Sequence, residues 1–108
     1  MDRSDIVSLV KIEEARDEYG VFRATQTERV VFCRVESVTR AEFYDAGRNG
    51  LNPEYKITIF SGDYDGEDMV IYRARAYGVY RTYAGKNDEV ELYVERKGGA
   101  VRGTQGAG

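Results

Sequence analysis

The chain has 108 residues, the length of one small domain, and its 16 basic and 19 acidic residues leave a net charge of −3. With no His and one Cys, it cannot assemble a Ser-His-Asp or Cys-His nucleophile, an internal disulfide or a Cys/His zinc site. Its 42% hydrophobic and 32% charged residues exclude a disordered or fibrous chain and leave carboxylate chemistry, ligand binding and assembly as the open function classes.

No apolar run approaches the ~20 residues that span a bilayer. The start, Met1-Asp2-Arg3-Ser4-Asp5, lacks a signal-peptide pattern, so a cytoplasmic or cytoplasmically assembled protein with no membrane association is expected. Ile6, Val7, Leu9, Val10 and Ile12 form the first strand-like run. Residues 13–27 are charged and polar with little periodicity, and predict a long mobile loop. The alternative there is a short helix over residues 13–18, since Glu, Ala and Arg are good helix formers. Residues 28–38 predict a strand with Val31, Cys33 and Val35 on one face and Val30, Phe32, Arg34 and Glu36 on the other, half covered. Cys33 is expected to be a reduced core thiol.

Thr39-Arg40-Ala41-Glu42 has the form of a capping box, predicting a short helix over residues 39–47 that Gly47 or Gly50 ends in the left-handed conformation. Pro53 opens the next strand, in which Tyr55, Ile57 and Ile59 alternate with Lys56 and Thr58. Asp63-Tyr64-Asp65-Gly66 predicts a hairpin tip. Strands follow over residues 69–73, 77–83 and 89–96, the last with Val90, Leu92 and Val94 on one side, and Ala84-Gly85-Lys86-Asn87-Asp88 turns between the final two. The expected architecture is mainly β: a small antiparallel barrel or sandwich over residues 1–97 with one inserted helix and a long polar loop. Five glycines between Gly98 and Gly108 predict a flexible tail over residues 98–108.

Three clusters invite chemistry. The acidic run Asp63 to Asp68 fails as an EF-hand loop, because positions six and twelve would be Asp68 and Ala74 rather than Gly and Glu; it reads as a solvated turn. Nineteen acidic residues supply many carboxylate pairs, so a carboxylate-dependent hydrolase needs a specific buried pair to be credible. Residues 69–87 interleave Arg73, Arg75, Arg81 and Lys86 with Tyr72, Tyr77, Tyr80 and Tyr83, a pattern that on a sheet binds single-stranded nucleic acid by stacking and phosphate contact, although such binders are usually basic and this chain is net acidic. In an extended strand Tyr77, Val79, Arg81 and Tyr83 share one side and Gly78, Tyr80 and Thr82 the other, which also fits ordinary packing with Arg81 paired to a carboxylate such as Glu91. Nine tyrosines equally suit a protein–protein interface.

The order of segments carries a resemblance. Ser37-Val38-Thr39-Arg40-Ala41-Glu42-Phe43-Tyr44-Asp45-Ala46 precedes Gly50-Leu51-Asn52-Pro53-Glu54. Asp63-Tyr64-Asp65-Gly66-Glu67 follows, then Tyr77-Gly78-Val79-Tyr80-Arg81-Thr82-Tyr83, then Asp88-Glu89-Val90-Glu91-Leu92-Tyr93. Over residues 27–99 this series resembles the head-closure (stopper, or head–tail joining) proteins of long-tailed bacteriophages. It departs from that pattern at Arg73-Ala74-Arg75, where a Gly- or Asn-containing turn is expected. The resemblance implies a non-enzymatic virion protein without cofactor or metal, assembled in the bacterial cytoplasm and placed at the head–tail interface. It implies a homo-oligomeric ring, dodecamer or hexamer, below the portal-adaptor connector, which closes the DNA channel after packaging and receives a tail-completion or tail protein. The loop residues Glu13, Glu14, Arg16, Asp17 and Glu18 would then face the channel and the phage DNA passing through it. Arg40, Glu42, Phe43, Tyr44 and Arg81 would be interface residues. Charge is uneven along the chain: residues 1–68 carry 9 basic and 15 acidic groups, residues 69–108 carry 7 basic and 4 acidic.

Overall fold

The period-two runs fold into six antiparallel strands, β1 (Asp5–Arg16), β2 (Phe22–Ser37), β3 (Pro53–Phe60), β4 (Met69–Tyr72), β5 (Arg75–Ala84) and β6 (Glu89–Arg96), with one helix, α1 (Arg40–Arg48), between β2 and β3. The computed structural model describes residues 5–97, so the glycine-rich tail expected over residues 98–108 lies outside the described residues. The strands close into a barrel in the order β1-β2-β3-β6-β5-β4. Closure gives every strand two neighbours over part of its length, which covers the sheet edges there.

Alternation sets the core. Val7 and Leu9, Val31 and Cys33, Ile57 and Ile59, Val70 and Tyr72, Tyr77, and Leu92 and Val94 turn inward as one buried cluster. Tyr55 lies edge-on to Tyr72 and Tyr77, ring centroids 5.6 Å apart in both pairs, and aromatic rings in this arrangement fill the core at that end. Cys33 is fully buried, and burial, with the nearby charge of Asp5, pushes its thiol up to about 12.

The stretch expected as a long polar loop is instead paired. β1 and β2 remain in register from Asp5↔Cys33 out to Arg16↔Phe22. By contrast, β4 pairs with β1 only over Ser8 to Val10, and β3 pairs with β2 only over Arg34 to Ser37. Beyond Val10 and Glu28 the two strands therefore leave the barrel as a two-stranded ribbon. Residues 13–16 and 22–27 belong to strands, and only residues 17–21 form the turn. The short helix considered for residues 13–18 does not form. Both faces of this ribbon meet solvent, so no buried side imposes an apolar alternation, and the segment reads as a loop although its backbone pairs.

Two turns also depart from expectation. β3 and β4 are not neighbours, so residues 61–68 are not a hairpin tip but a connection containing a short 3₁₀ turn, Ser61–Asp63. β4 and β5 do form a hairpin, closed by Tyr72↔Arg75, although its central residues are Arg73 (φ 52°) and Ala74 (φ 64°). Both adopt the left-handed conformation that a tight two-residue hairpin demands and that Gly or Asn would supply without strain.

Candidate functional site

Two features stand away from the core: the ribbon, and the clamp that binds α1 to the barrel wall. α1 starts where the capping box predicts. The Thr39 hydroxyl accepts the Glu42 amide at 3.1 Å, and Gly50 supplies the left-handed turn at the other end (φ 80°). The reciprocal arm of the box is redirected. The Glu42 carboxylate accepts a hydrogen bond from the Tyr80 hydroxyl at 2.6 Å and another from the Arg81 guanidinium. The Arg81 guanidinium also lies 4.1 Å from the centre of the Tyr93 ring, a cation–π contact. Burial, reinforced by the hydrogen bond to Glu42 and its charge, raises the Tyr80 hydroxyl well above the usual tyrosine range.

Arg81 reaches this position because β5 carries a bulge. Val79 pairs with Val94, but Arg81 pairs with Tyr93; the extra residue, Tyr80, moves Arg81 off the inward side that strict alternation assigns it. The pairing expected between Arg81 and Glu91 is thus replaced by Arg81–Glu42, while Glu91 accepts from the Tyr93 hydroxyl at 3.0 Å. The bulge also breaks the tyrosine series. Tyr72 and Tyr77 are in the core, Tyr80 is half-buried against Glu42, and Tyr83 is exposed. Of these four rings only Tyr83 is largely open to solvent.

Arg40 is exposed in the first turn of α1, and Phe43 and Tyr44 remain more than half exposed on its outer side, edge-on to each other at 5.8 Å. Only Ala46 of the helix is buried. The structure therefore brings Glu42 and Arg81 together and leaves Arg40, Phe43 and Tyr44 as an open flank.

At the ribbon, Glu13 and Glu14 sit opposite Thr25 and Ala24, both exposed. The Arg16 guanidinium lies 4.6 Å from the centre of the Phe22 ring. Asp17 organises the turn: one carboxylate oxygen accepts the amides of Tyr19 and Val21, each at 2.9 Å, and the other accepts Arg23 Nε at 2.9 Å. These bonds, led by the Val21 amide and the Arg23 guanidinium, hold the Asp17 carboxyl below its usual range. Glu18, Tyr19 and Phe22 are exposed at the tip.

Two further groups were not legible as functional in the sequence. The outer wall of β1 and β2 exposes Ile6, Val30 and Phe32 at 55, 66 and 67%, with Ile6 directly opposite Phe32; the half-covered face expected there is open. Glu67, one acid in an apparently solvated run, is 3% exposed. It accepts Arg29 Nη2 at 2.6 Å and the Asp65 amide at 2.7 Å. Burial draws the Glu67 carboxyl upward, but these hydrogen bonds outweigh it and leave it below its usual value. Among the described residues Glu67 is the one buried carboxylate, and its partner is an arginine rather than a second acid. No group of three or more Cys, Asp or Glu among the described residues is arranged to hold a metal ion, and no helix among them is long and apolar enough to cross a membrane. The chain matches no protein-family model and no curated protein.

Proposed function

We propose that this chain is a head-closure subunit of a long-tailed bacteriophage, a non-enzymatic protein that joins a ring on the portal-adaptor connector, closes the DNA channel and offers a docking surface to the tail. The reading rests first on the ordered series of segments between residues 27 and 99. The observation that carries it further is the ribbon, whose segment 13–18 holds four acidic residues and one basic and projects beyond a closed barrel. With Asp17 paired to Arg23, residues 12–26 of the ribbon carry four acidic and two basic groups, and this net negative charge disfavours contact with nucleic-acid phosphates, so the ribbon would line or block a channel without adhering to DNA. The exposed Phe43 and Tyr44 on α1, and Ile6, Val30 and Phe32 on the barrel wall, supply apolar surface of the kind that subunit contacts bury.

The test is recruitment. The purified protein is mixed with portal-adaptor connectors and with DNA-filled capsids, and co-sedimentation is measured. Binding to both is expected. A second protein, in which residues 12–26 are replaced by Asn-Gly so that Lys11 and Thr27 flank a tight turn, should bind equally but fail to retain packaged DNA. Absence of binding by the unaltered protein to either assembly refutes the proposal; a monomer in free solution does not.

A further inference from the structure

The root of the ribbon is tied to the barrel by charges from both of its strands. Arg29 on β2 lies opposite Leu9, and Lys11 on β1 lies opposite Thr27, one step beyond the last β1–β4 pair, Val10↔Met69. Both cations reach the same connection, residues 61–68. Arg29 donates to the Glu67 carboxylate through Nη2 at 2.6 Å and Nε at 3.2 Å, and to the Asp63 carbonyl. Lys11 Nζ donates to the Asp65 carbonyl at 3.1 Å and lies 3.4 Å from its carboxylate. The connection is itself braced, because the Tyr64 hydroxyl donates to the Glu67 carbonyl at 2.7 Å and the Asp65 amide to the Glu67 carboxylate. Beyond this point, among the described residues, the backbone of the ribbon pairs only between its own two strands.

We propose that Arg29–Glu67, assisted by Lys11–Asp65, is a latch that fixes the direction in which the ribbon leaves the barrel, and that opening it lets the ribbon pivot at Val10 and Glu28 while the barrel stays folded. The device does not depend on what the ribbon meets, so it stands or falls separately from the head-closure reading. Six paired residues beyond the pivot make a lever of about 20 Å, and a swing of ~20° moves its end by roughly 7 Å.

The test measures that displacement. Spin labels on Glu18→Cys at the ribbon turn and Lys86→Cys in the β5–β6 turn report the distance distribution by electron–electron resonance, with the buried Cys33 left in place. Glu67→Gln should broaden the distribution by several ångströms, while amide exchange in β3 and β6 stays as slow as in the parent. Lys11→Gln, which leaves the buried pair intact, should broaden it less. An unchanged distribution in Glu67→Gln overturns the latch. So does broadening accompanied by faster exchange throughout β3 and β6, which makes the pair a general stabiliser. If Glu67→Gln does not fold, Lys11→Gln decides alone: broadening supports the latch and an unchanged distribution overturns it.

Discussion

Removing Glu42 should release α1 from the barrel, and the size of the effect follows from what the carboxylate touches. α1 has nine residues, too few to persist without tertiary contacts. The Glu42 side chain is 15% exposed and Arg81 46%. The bond from the Tyr80 hydroxyl to a partly buried carboxylate is the stronger contact, about 1.5–2 kcal/mol. The half-exposed Arg81 pair, discounted for solvent screening, adds no more than about 0.5 kcal/mol. Glu42→Ala should therefore cost about 2 kcal/mol, lowering the thermal midpoint by about 9 °C for a chain of this length. Urea unfolding gives the free energy, and amide exchange locates it. The Phe43 and Asn49 amides, bonded to the Thr39 and Ala46 carbonyls, should exchange faster, while β3 and β6 keep their protection relative to global stability. A double-mutant cycle with Glu42→Ala and Tyr80→Phe isolates the shared bond. Coupling below about 0.3 kcal/mol, the range in which distant sites behave additively, refutes the clamp.

Three further outcomes are expected. Tyr64, Tyr72, Tyr77, Tyr80 and Tyr93 are all raised by burial first, from 10.0. The unfolded chain thus loses these protons before the folded one. Their contribution is intact below about pH 10 and is lost as pH rises through the folded values. Urea midpoints should fall steeply above about pH 10, and less steeply in Tyr80→Phe; equal slopes count against the assignment. Ala74→Gly should raise stability by about 0.5–1 kcal/mol, because glycine adopts the left-handed φ of 64° without strain; a lowered thermal midpoint contradicts that account. The Cys33 thiol, fully buried and raised, should react with a disulfide reagent no faster than the protein unfolds, and a rapid phase at neutral pH would show an accessible thiol.

The inward faces were legible because burial on one side of a strand imposes a period of two. Ile57 and Ile59 on β3, and Leu92 and Val94 on β6, are all fully buried as the alternation requires. Thr39 was legible because capping chemistry is local. Where the structure departs from the sequence reading, the deciding contact is distant or the rule is broken by one residue. The bulge at Tyr80 inverts the side on which Arg81 lies, and nothing in the residues around it announces an extra position. Glu67 is one acid of four in residues 63–68, distinguished by an arginine 38 positions away. Residues 13–27 pair without burying a face, so only the turn around Asp17 and Gly20 (φ 79°) carries a local mark. The open surface at Ile6, Val30 and Phe32 looked like ordinary strand composition, since a period shows which residues share a face but not whether anything covers it.

The polarity of the inward positions also explains why the ribbon leaves where it does. Along β1 the inward series runs Val7, Leu9, Lys11, and along β2, read toward the ribbon, Cys33, Val31, Arg29. Each series changes from apolar to cationic at the rim. An apolar side chain at either rim position would face solvent as soon as the strands pass the last barrel pair, and would favour drawing the ribbon back across the core or into another chain. A cation there needs a partner, and residues 61–68 supply one to each strand. A charge pair so placed adds little net stability over a well-packed apolar pair, but it fixes register, because a one-residue slip between β1 and β2 would move Arg29 out of reach of Glu67. Replacing Arg29 by methionine and Glu67 by glutamine, which keeps an acceptor for the Asp65 amide, should therefore cost the barrel no more than about 1–2 kcal/mol while loosening the ribbon's direction. Urea unfolding combined with the distance measurement would separate the two effects, and a barrel that lost several kcal/mol would show that the pair supports the core itself.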